Sequence, residues 1–540
     1  MSKTALFWLV AGLTAVIAAP AAAQNADREK ARALIAQVMG GQTPVGQPAG
    51  AAAAQTQEGP TVELTSEQAV ARALDKNLTL ASQRITPETW DLAIAANLAN
   101  YKPNLTSAFS NQSAVQLNTN LFAGGNRVTQ DTQNWSAGLA QNVWKGGGNY
   151  TVNFTNQRAA SDATNSTVNP SYQSGLRAQY VQPLLKNFKI DQNRALVQSN
   201  RISQDISEIA LKSTTASTVA QVRNAYWELV YARQAVDAAL ASLDLASKLV
   251  ADNRSRVEIG TMAPIDVVQA QADEATRRQT LVNAQATLRN DELALKRLIV
   301  SGTDDELWRA TIVPTDLPTA APQAVDLEAA VQVALQNRTD IATTRKNLES
   351  TDVQLRTLVN QTLPQLDFIG TYTLNGRGGT GLLRDPSNPL IIADTIPGGY
   401  IDALHGIGTI DAPTWNALLQ FALPIGISAP KANVARQRLL RRQTEADLKA
   451  AELTVATDVT TAALAIRNSL EAMQAATAAR ELSQKRLEAA QSKFEVGMSN
   501  NFEVLQAQRD LADARNRELR ETLNYQRALV DFERSQISPR

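Results

Sequence analysis

The longest pattern in the chain is a pair of segments compatible with very long helices. Residues 191–259 and 431–496 contain neither proline nor glycine, the two residues that most often interrupt a helix. Gly260 closes the first segment and Gly497 closes the second. A second uninterrupted stretch follows each glycine, over residues 265–301 and 498–538. The pattern predicts two helical hairpins whose longer helices reach on the order of 100 Å.

Apolar residues in the first segment follow the spacing of a coiled coil. Alternating steps of three and four residues from Val219 to Val257 meet mostly valine, leucine and tyrosine. Such a seam is narrower than the apolar stripe of a helix packed into a globular core. Flanking alanines such as Ala238 and Ala239 allow a neighbouring helix to approach closely. The seam by itself is equally compatible with a rod-like structural coiled coil.

The two hairpins belong to an internal duplication. Aligning Gly260 with Gly497 also aligns residues 266–271, Asp-Val-Val-Gln-Ala-Gln, with residues 503–508, Glu-Val-Leu-Gln-Ala-Gln. A second correspondence lies upstream, where Glu67, Ala69, Val70, Ala73 and Leu74 match Glu328, Ala330, Val331, Ala334 and Leu335. A duplication of this size predicts one repeated architecture instead of several unrelated domains.

Between the helical parts of each repeat, the period of the apolar residues changes to two, which indicates β-strands. Two such segments lie in each repeat, and they run through Leu105, Tyr172, Leu366 and Trp415. Alternating strands of about 10 to 13 residues suit a tilted crossing of a membrane by a β-barrel with one apolar and one polar face. A half-buried soluble sheet has the same period.

One further hairpin is predicted only in the first repeat, over residues 134–157. Trp135 and Leu139 alternate with polar residues before the turn at residues 146–148, which is Gly-Gly-Gly, and Val152 and Phe154 alternate after it. The sequence leaves open whether this hairpin joins the barrel or extends above it.

Four strands cannot close a barrel, and open edges in lipid are costly, so several protomers must share one barrel. Three protomers would give 12 strands, or 18 with the hairpin.

Composition removes most other classes of function. Lys and Arg number 52, as do Asp and Glu, so no bulk positive field exists to hold nucleic acid. The chain has no cysteine and one histidine, His405, which excludes disulfides, thiolate metal sites and cysteine nucleophiles. No enzymatic activity and no cofactor are expected. The glycine-rich residues 375–381 lack the lysine of a phosphate-binding loop, so we predict an extracellular loop there and treat His405 as another loop residue.

The N-terminus has the features of a secretory signal peptide. Lys3 precedes an apolar run, and small residues such as Ala21 and Ala23 suit a signal peptidase, so residues 1–23 are expected to be removed. Residues 24–63 form an N-terminal extension and linker rich in Gly, Pro, Ala and Gln. The rest divides into a first repeat, an inter-repeat linker and a second repeat, over residues 64–302, 303–325 and 326–540.

The signal peptide, the duplicated half, the two strands per half and the hairpin tips together resemble the outer membrane efflux protein family, the TolC-like channels. The resemblance covers residues 64–537. It implies an α+β membrane protein in which long coiled-coil hairpins form a periplasmic α-barrel and a transmembrane β-barrel is shared between protomers. It further implies a homotrimer in the bacterial outer membrane, extending into the periplasm and docking to a periplasmic adaptor and an inner-membrane pump.

The expected function is a passive export duct of a tripartite efflux or type I secretion system. The alternative from the residues alone is a periplasmic coiled-coil adaptor or scaffold, which would explain the hairpins but not the alternating strands. The resemblance places the acids of a pore constriction at Glu503 and Asp266, with Gln506 at a position that is acidic in the best-known channels. Phe494 and Ser499 stand where those channels have a tyrosine and an arginine, so closure must use other contacts.

The expected adaptor-docking residues are the two hairpin tips. They comprise Ile259, Gly260, Thr261, Val496, Gly497 and Met498. A ring of equal Glu503 or Asp266 side chains at the end of a tunnel would attract cations. The plainer interpretation of each acid is a first-turn residue that stabilises the returning helix, and the two roles can coexist.

Overall fold

The computed structural model describes residues 60–117, 127–316, 325–423, 425–426 and 428–539. The predicted signal peptide and most of the N-terminal extension lie outside these residues. In the first repeat the elements are β1 (Thr61–Leu64), α1 (Ser66–Lys76), α2 (Leu78–Ala99), β2 (Asn104–Leu117), β3 (Arg127–Asn142), β4 (Asn149–Ser161), β5 (Val168–Pro183), α3 (Gln192–Glu258) and α4 (Pro264–Ile299). After α5 (Glu306–Arg309) and β6 (Thr311–Pro314), the second repeat contains α6 (Leu327–Asn337), α7 (Thr339–Gln361), β7 (Gln365–Asp385), β8 (Asn388–Ile396), α8 (Tyr400–Gly408), β9 (Pro413–Ala422), α9 (Ala429–Glu495) and α10 (Asn501–Ser535).

The two long helical hairpins are present as predicted. Helices α3 and α9 are 67 residues each, and their partners α4 and α10 have 36 and 35 residues. Each long helix packs along its partner, and α10 also packs against α3. None of the helices in the described part of the chain is both long and apolar enough to span a bilayer.

The sheet contains the four predicted strands and the additional hairpin. Its strands lie in the order β2, β3, β4, β5, β7, and both β8 and β9 pair with β7, at different parts of its length. The hairpin of β3 and β4 therefore lies inside the sheet, between β2 and β5. The strand pair of this hairpin is thus part of the protomer's sheet.

Strand register separates the side chains of this sheet into an apolar and a polar face. Phe109 pairs with Trp135 across β2 and β3, and Trp415 pairs with Tyr372 across β9 and β7. All four of these aromatic residues are exposed in the protomer. Because side chains alternate along a strand, the opposite face carries the intervening residues, mainly Asn, Gln, Ser and Thr. This is the pattern of strands with lipid on one side and water on the other.

The expectation of an extracellular loop over residues 375–381 is wrong. These residues lie in β7, and their glycines allow α8 to cross the strand closely. A Cβ on Gly376 would lie 1.8 Å from the carbonyl oxygen of Ala403, and one on Gly378 would lie 2.1 Å from that of Gly399. His405 is likewise in α8 and not in a loop. Sequence reasoning misread glycines needed for packing as glycines needed for a turn.

Equivalent contacts in the two repeats confirm the duplication. The side chain of Asn77, between α1 and α2, donates to the carbonyl of Leu298 at the end of α4 over 2.8 Å. Arg338, between α6 and α7, donates to the carbonyl of Ser535 at the end of α10 over 3.1 Å. The same alignments that pair the hairpin tips and the upstream helices also pair the partners in these two bonds. The repeats therefore share contacts as well as elements.

The residues assigned to the inter-repeat linker contain ordered structure. Strand β6 pairs in parallel with β1, so the segments that enter the two repeats form a small two-stranded sheet. Tyr226 of α3 is buried beside it, donates to the carbonyl of Leu64 over 3.1 Å and accepts from the amide of Asp316. These contacts fasten the start of both repeats to the first long helix.

Replacing Arg338 by methionine is expected to destabilise the folded protein by about 1–3 kcal/mol, because it leaves the carbonyl of the buried Ser535 without its donor and two half-buried carboxylates without their counter-charge. Arg338 is 1% exposed and is bonded to Asp340 (2.7 Å), Asp458 (3.1 Å) and the carbonyl of Ser535. Thermal unfolding of the detergent-solubilised protein measures the loss. The matched control is Arg345→Met, since Arg345 is 53% exposed and lies 4.0 Å from its carboxylate partner. Equal melting temperatures for both variants would contradict the role assigned to Arg338.

Candidate functional site at the hairpin tips

Each hairpin turns through a glycine in the left-handed region. Gly260 has a φ of +77° and Gly497 a φ of +76°, a conformation that glycine adopts without steric cost. The amide of the following residue donates to the carbonyl five residues earlier, over 2.9 Å at Thr261 and 2.8 Å at Met498. These bonds define a Schellman cap at the end of a helix. The duplicated sequences thus fold into the same turn.

The six predicted docking residues form what we call the tip surface. Apart from the glycine and the residues next to it, no atom lies within 4 Å of the position that a Cβ would take on Gly260 or Gly497. The apolar neighbours are open as well, with Ile259 73%, Val496 70% and Met498 79% exposed. Exposed apolar side chains around a bare backbone turn are suited to contact with another protein.

Glu503 has the contacts of a helix-stabilising acid and also remains exposed in the protomer. It lies in the first turn of α10, and its amide donates to the side chain of the N-cap residue Asn500 over 3.0 Å. Its carboxylate accepts a hydrogen bond from the Ser499 hydroxyl. A first-turn acid interacts favourably with the helix N-terminus. Ser499, which the resemblance places where other channels have an arginine, therefore contacts Glu503 directly.

The structure places the other two predicted constriction residues on the same pair of helices. Asp266 is in the first turn of α4 and is half-buried. The side-chain amide of Gln506 donates to the carboxylate of Asp510 over 2.8 Å, and Asp510 forms an ion pair with Arg486 at 2.7 Å. Gln506 thus contacts an acid one turn further along α10 whose charge is balanced within the protomer.

Buried asparagines connect the two hairpins close to their tips. Asn253 of α3 is fully buried, and its side chain donates to the side-chain oxygen of Asn501 over 3.0 Å. Asn501 in turn donates to the backbone carbonyl of Asp266 over 3.4 Å. Buried polar groups are usually hydrogen-bonded; the side-chain nitrogen of Asn253 is bonded in this way, whereas its side-chain oxygen has no partner. These bonds therefore set the position of the first hairpin relative to α10.

A cation–π contact joins the last turns of the two long helices. The guanidinium of Arg256 lies 4.4 Å from the ring centroid of Phe494. Phe494 is itself buried, in a cluster with Leu249, Leu487 and Leu505. Phenylalanine cannot donate a hydrogen bond, but its ring attracts a cation over its face. This contact holds the last turn of α3 against that of α9 in the other hairpin.

A buried ion pair lies farther from the tips on the same interface. Asp273 of α4 is 2% exposed and lies 2.9 Å from Arg509 of α10 and 3.4 Å from Arg277. Two cations compensate the buried carboxylate, which would otherwise be costly to desolvate. This group ties α4 to α10 across the two hairpins.

A second titratable cluster connects the hairpins further along the helices. Burial raises the pKa of Asp291 on α4, nearby Glu228 raises it further, and Arg520 on α10 opposes both. Glu228 is paired with Arg527 at 2.7 Å. The arrangement joins α3, α4 and α10.

The match to known proteins follows the repeats described above. A family model with the description "Outer membrane efflux protein" matches residues 149–300 and 330–535, which is more than half of the chain. The chain belongs to the outer membrane efflux protein family. Each matched segment ends with one of the two long hairpins.

Solved structures of outer-membrane channels share the fold of this efflux protein. CusC aligns with a TM-score of 0.65 at 15% identity, over 92% of this chain and 98% of that chain. The Campylobacter jejuni CmeC outer membrane channel gives 0.62 at 15%, over 92% and 93%. The open state of the Neisseria gonorrhoeae MtrE outer membrane channel gives 0.57 at 18%, over 88% and 89%. A search of curated protein sequences found no match.

Family and fold together give the location and the general role. The protein is an oligomeric outer-membrane efflux channel, with a transmembrane β-barrel shared between protomers and helical hairpins that extend into the periplasm. Among the residues that the structure describes, no group of three or more His, Asp or Glu side chains could hold a metal ion.

Several residues of the tip site escaped sequence reasoning. Asn500 had a detectable signal, because an asparagine three residues before a glutamate at a helix start indicates an N-cap. Asp273 also had a detectable signal, because the alignment of the two tips pairs it with Asp510. Both acids form ion pairs in the structure. Asn253 and Arg256 had none, because their partners come from the other repeat.

Proposed function

We propose that the chain is the passive exit duct of a tripartite efflux or type I secretion system and that it works as a homotrimer. The observation that carries this proposal is the pair of identical glycine turns, each surrounded by exposed apolar residues at the end of a long hairpin. A periplasmic adaptor would cover the tip surface of all protomers, and an inner-membrane pump would supply the energy. Family membership supports partners of this kind.

The acids near the tips would form the periplasmic constriction. Glu503 and Asp266 are equivalent in the two repeats, and both start a returning helix. Three-fold assembly would place three copies of each acid around one axis, where rings of charge select ions. Gln506 would add a neutral polar ring. Arg256 on Phe494 and Asn253 on Asn501 would hold the two hairpins together at this level.

The coiled-coil scaffold is a weaker proposal. A periplasmic adaptor has no use for a sheet whose aromatic residues are exposed along one face, as they are at Phe109, Trp135 and Trp415. Lipid contact accounts for that face directly.

The native assembly tests the proposed function. Detergent extraction of outer membranes is expected to yield a homotrimer, and mild extraction from the source cells is expected to retain an adaptor and a pump. Native mass spectrometry measures both the number of copies and the bound partners. A monodisperse monomer that stays in solution without detergent would end the channel proposal. A trimer that binds no adaptor, with the pump present, would leave a channel without the tripartite role.

A further inference from the structure

We infer that the hairpin of β3 and β4 is part of the barrel wall, so that each protomer supplies six strands and the barrel has an exit as wide as that of a porin. We call β2, β3, β4, β5, β7 and β9 the six-strand wall. The strand total rests on the proposed assembly of three copies, which gives 18 strands. The contribution of six strands by each protomer does not rest on it.

Pairing along the full length of the hairpin is the first support. Strand β3 pairs with β2 from Leu117 opposite Arg127 to Asn104 opposite Ala140. On its other side it pairs with β4 down to Asn142. Strand β4 then pairs with β5 along nearly all of its length. A flap above the membrane would pair with neither β2 nor β5.

The apolar face of the sheet continues through the part of the hairpin that lies next to its turn. Phe109 is opposite Trp135, whose ring lies 5.2 Å from that of Phe154, and Phe154 is opposite Leu176. On the other face Asn134 donates to the hydroxyl of Ser110 over 3.3 Å. An apolar face that spans four strands is required of a wall in lipid. A hairpin surrounded by water has no such requirement.

The turn of the hairpin is fixed to the start of the first long helix. Arg194 in the first turn of α3 is buried, is paired with Asp191 at 2.7 Å and donates to the carbonyl of Trp144 over 3.2 Å. Gly147 has a φ of +66°, and a Cβ there would lie 2.5 Å from the carbonyl oxygen of Asn187. The turn therefore lies at the helical end of the barrel in one defined position.

The edges of the six-strand wall fit a second copy of the chain. Every pairing in the wall is antiparallel, so an even number of strands leaves β2 and β9 running in opposite directions. The free edge of β9 in one copy can pair in antiparallel fashion with the free edge of β2 in the next. Closure removes open edges from lipid, where each unpaired backbone group is costly.

The added strands change what the exit can pass. Barrel diameter grows roughly linearly with strand number, and barrels of about 16 to 18 strands enclose an aqueous channel. The polar face of the wall lines it. The outer-membrane end of the duct then accepts bulkier solutes than a barrel of four strands per protomer, and selection by size falls to the periplasmic tips.

Cysteine substitutions test the position of the hairpin in a background that has no native cysteine. Asn134→Cys and Thr155→Cys lie on the polar face, and Trp135→Cys and Phe154→Cys on the apolar face. In intact outer membranes a membrane-impermeant maleimide is expected to label the first pair and leave the second pair unlabelled. Labelling of all four positions would overturn the inference, because a flap outside the membrane exposes both faces.

A deletion of the hairpin tests the width of the barrel exit. Removing residues 118–167 and joining the ends by a short glycine-serine linker places β2 next to β5, and these strands also run in opposite directions. Polyethylene glycols added only on the extracellular side of a planar bilayer are expected to enter the native channel at larger sizes than the shortened channel. Equal size limits would overturn the inference.

Electron cryomicroscopy of the native oligomer gives a readout that does not depend on the deletion variant folding. A three-fold particle with 18 strands is expected. A three-fold particle with 12 strands would overturn the six-strand wall and leave the proposed function intact. Six strands per protomer at another symmetry would overturn the proposed trimer and support the wall.

Discussion

Export is expected to stop when tryptophan replaces both Gly260 and Gly497. Each glycine is open at the position that a Cβ would take, so the indole has room to point into solvent. A side chain in the left-handed conformation costs about 1–2 kcal/mol, which is small beside the packing along two long hairpins. The oligomer should therefore persist, while the two rings cover the backbone turn that a partner helix must approach closely. Export is measured as accumulation of the pump substrate in cells whose only copy carries the change.

Two controls separate docking from folding. Gly408→Trp adds the same ring at another open glycine, in α8 of the barrel region and away from the tips, and export should be unaffected. Gly260→Asn combined with Gly497→Asn keeps a residue that tolerates the left-handed region and should retain part of the activity. If the double tryptophan variant forms the normal oligomer and exports at the native rate, the tips are not the docking surface.

The long helices could be predicted because their signal is local. The absence of proline and glycine and the 3–4 spacing act within one segment, and the glycines that end the runs have left-handed φ values in the structure. The main strands could be predicted for the same reason, since alternation is a property of neighbouring residues. The predicted end of one strand was wrong, because β7 continues through the glycines of residues 376–381.

Contacts between distant segments could not be predicted. Gly376 and Gly378 have the sequence appearance of a loop, and only the crossing of α8 gives them a packing role. The tip site shows the same limit. The duplication identifies Asp266 and Glu503 as equivalent acids, but the bond between Asn253 and Asn501 joins residues with no shared pattern. A residue of each repeat meets a different residue of the other, so the alignment of the repeats gives no indication of the pair.

The remaining large effect is expected from Glu503→Gln, which would change ion selection at the periplasmic end. In the proposed trimer this substitution removes three charges at one level of the tunnel and hardly alters its width. Low-dielectric walls keep the field of such a ring from being fully screened, although the Debye length in physiological salt is only about 8 Å. The neighbouring Asp510 cannot substitute for the ring, because Arg486 balances it at 2.7 Å. Cation preference should therefore fall, and the Asp266 ring should account for the preference that remains.

Planar-bilayer recordings measure this change as a shift of the reversal potential towards zero in a salt gradient and as weaker block by divalent or trivalent cations. Glu258→Gln is the matched control, because it removes the same charge from an exposed residue at the last turn of α3, outside the start of a returning helix. The control should keep the native reversal potential. Ser499→Ala adds a second comparison, since it removes the hydroxyl that donates to Glu503 and keeps the charge. If Glu503→Gln leaves both readouts unchanged, Glu503 acts only on the stability of α10, as its first-turn position and its bond to Ser499 already allow.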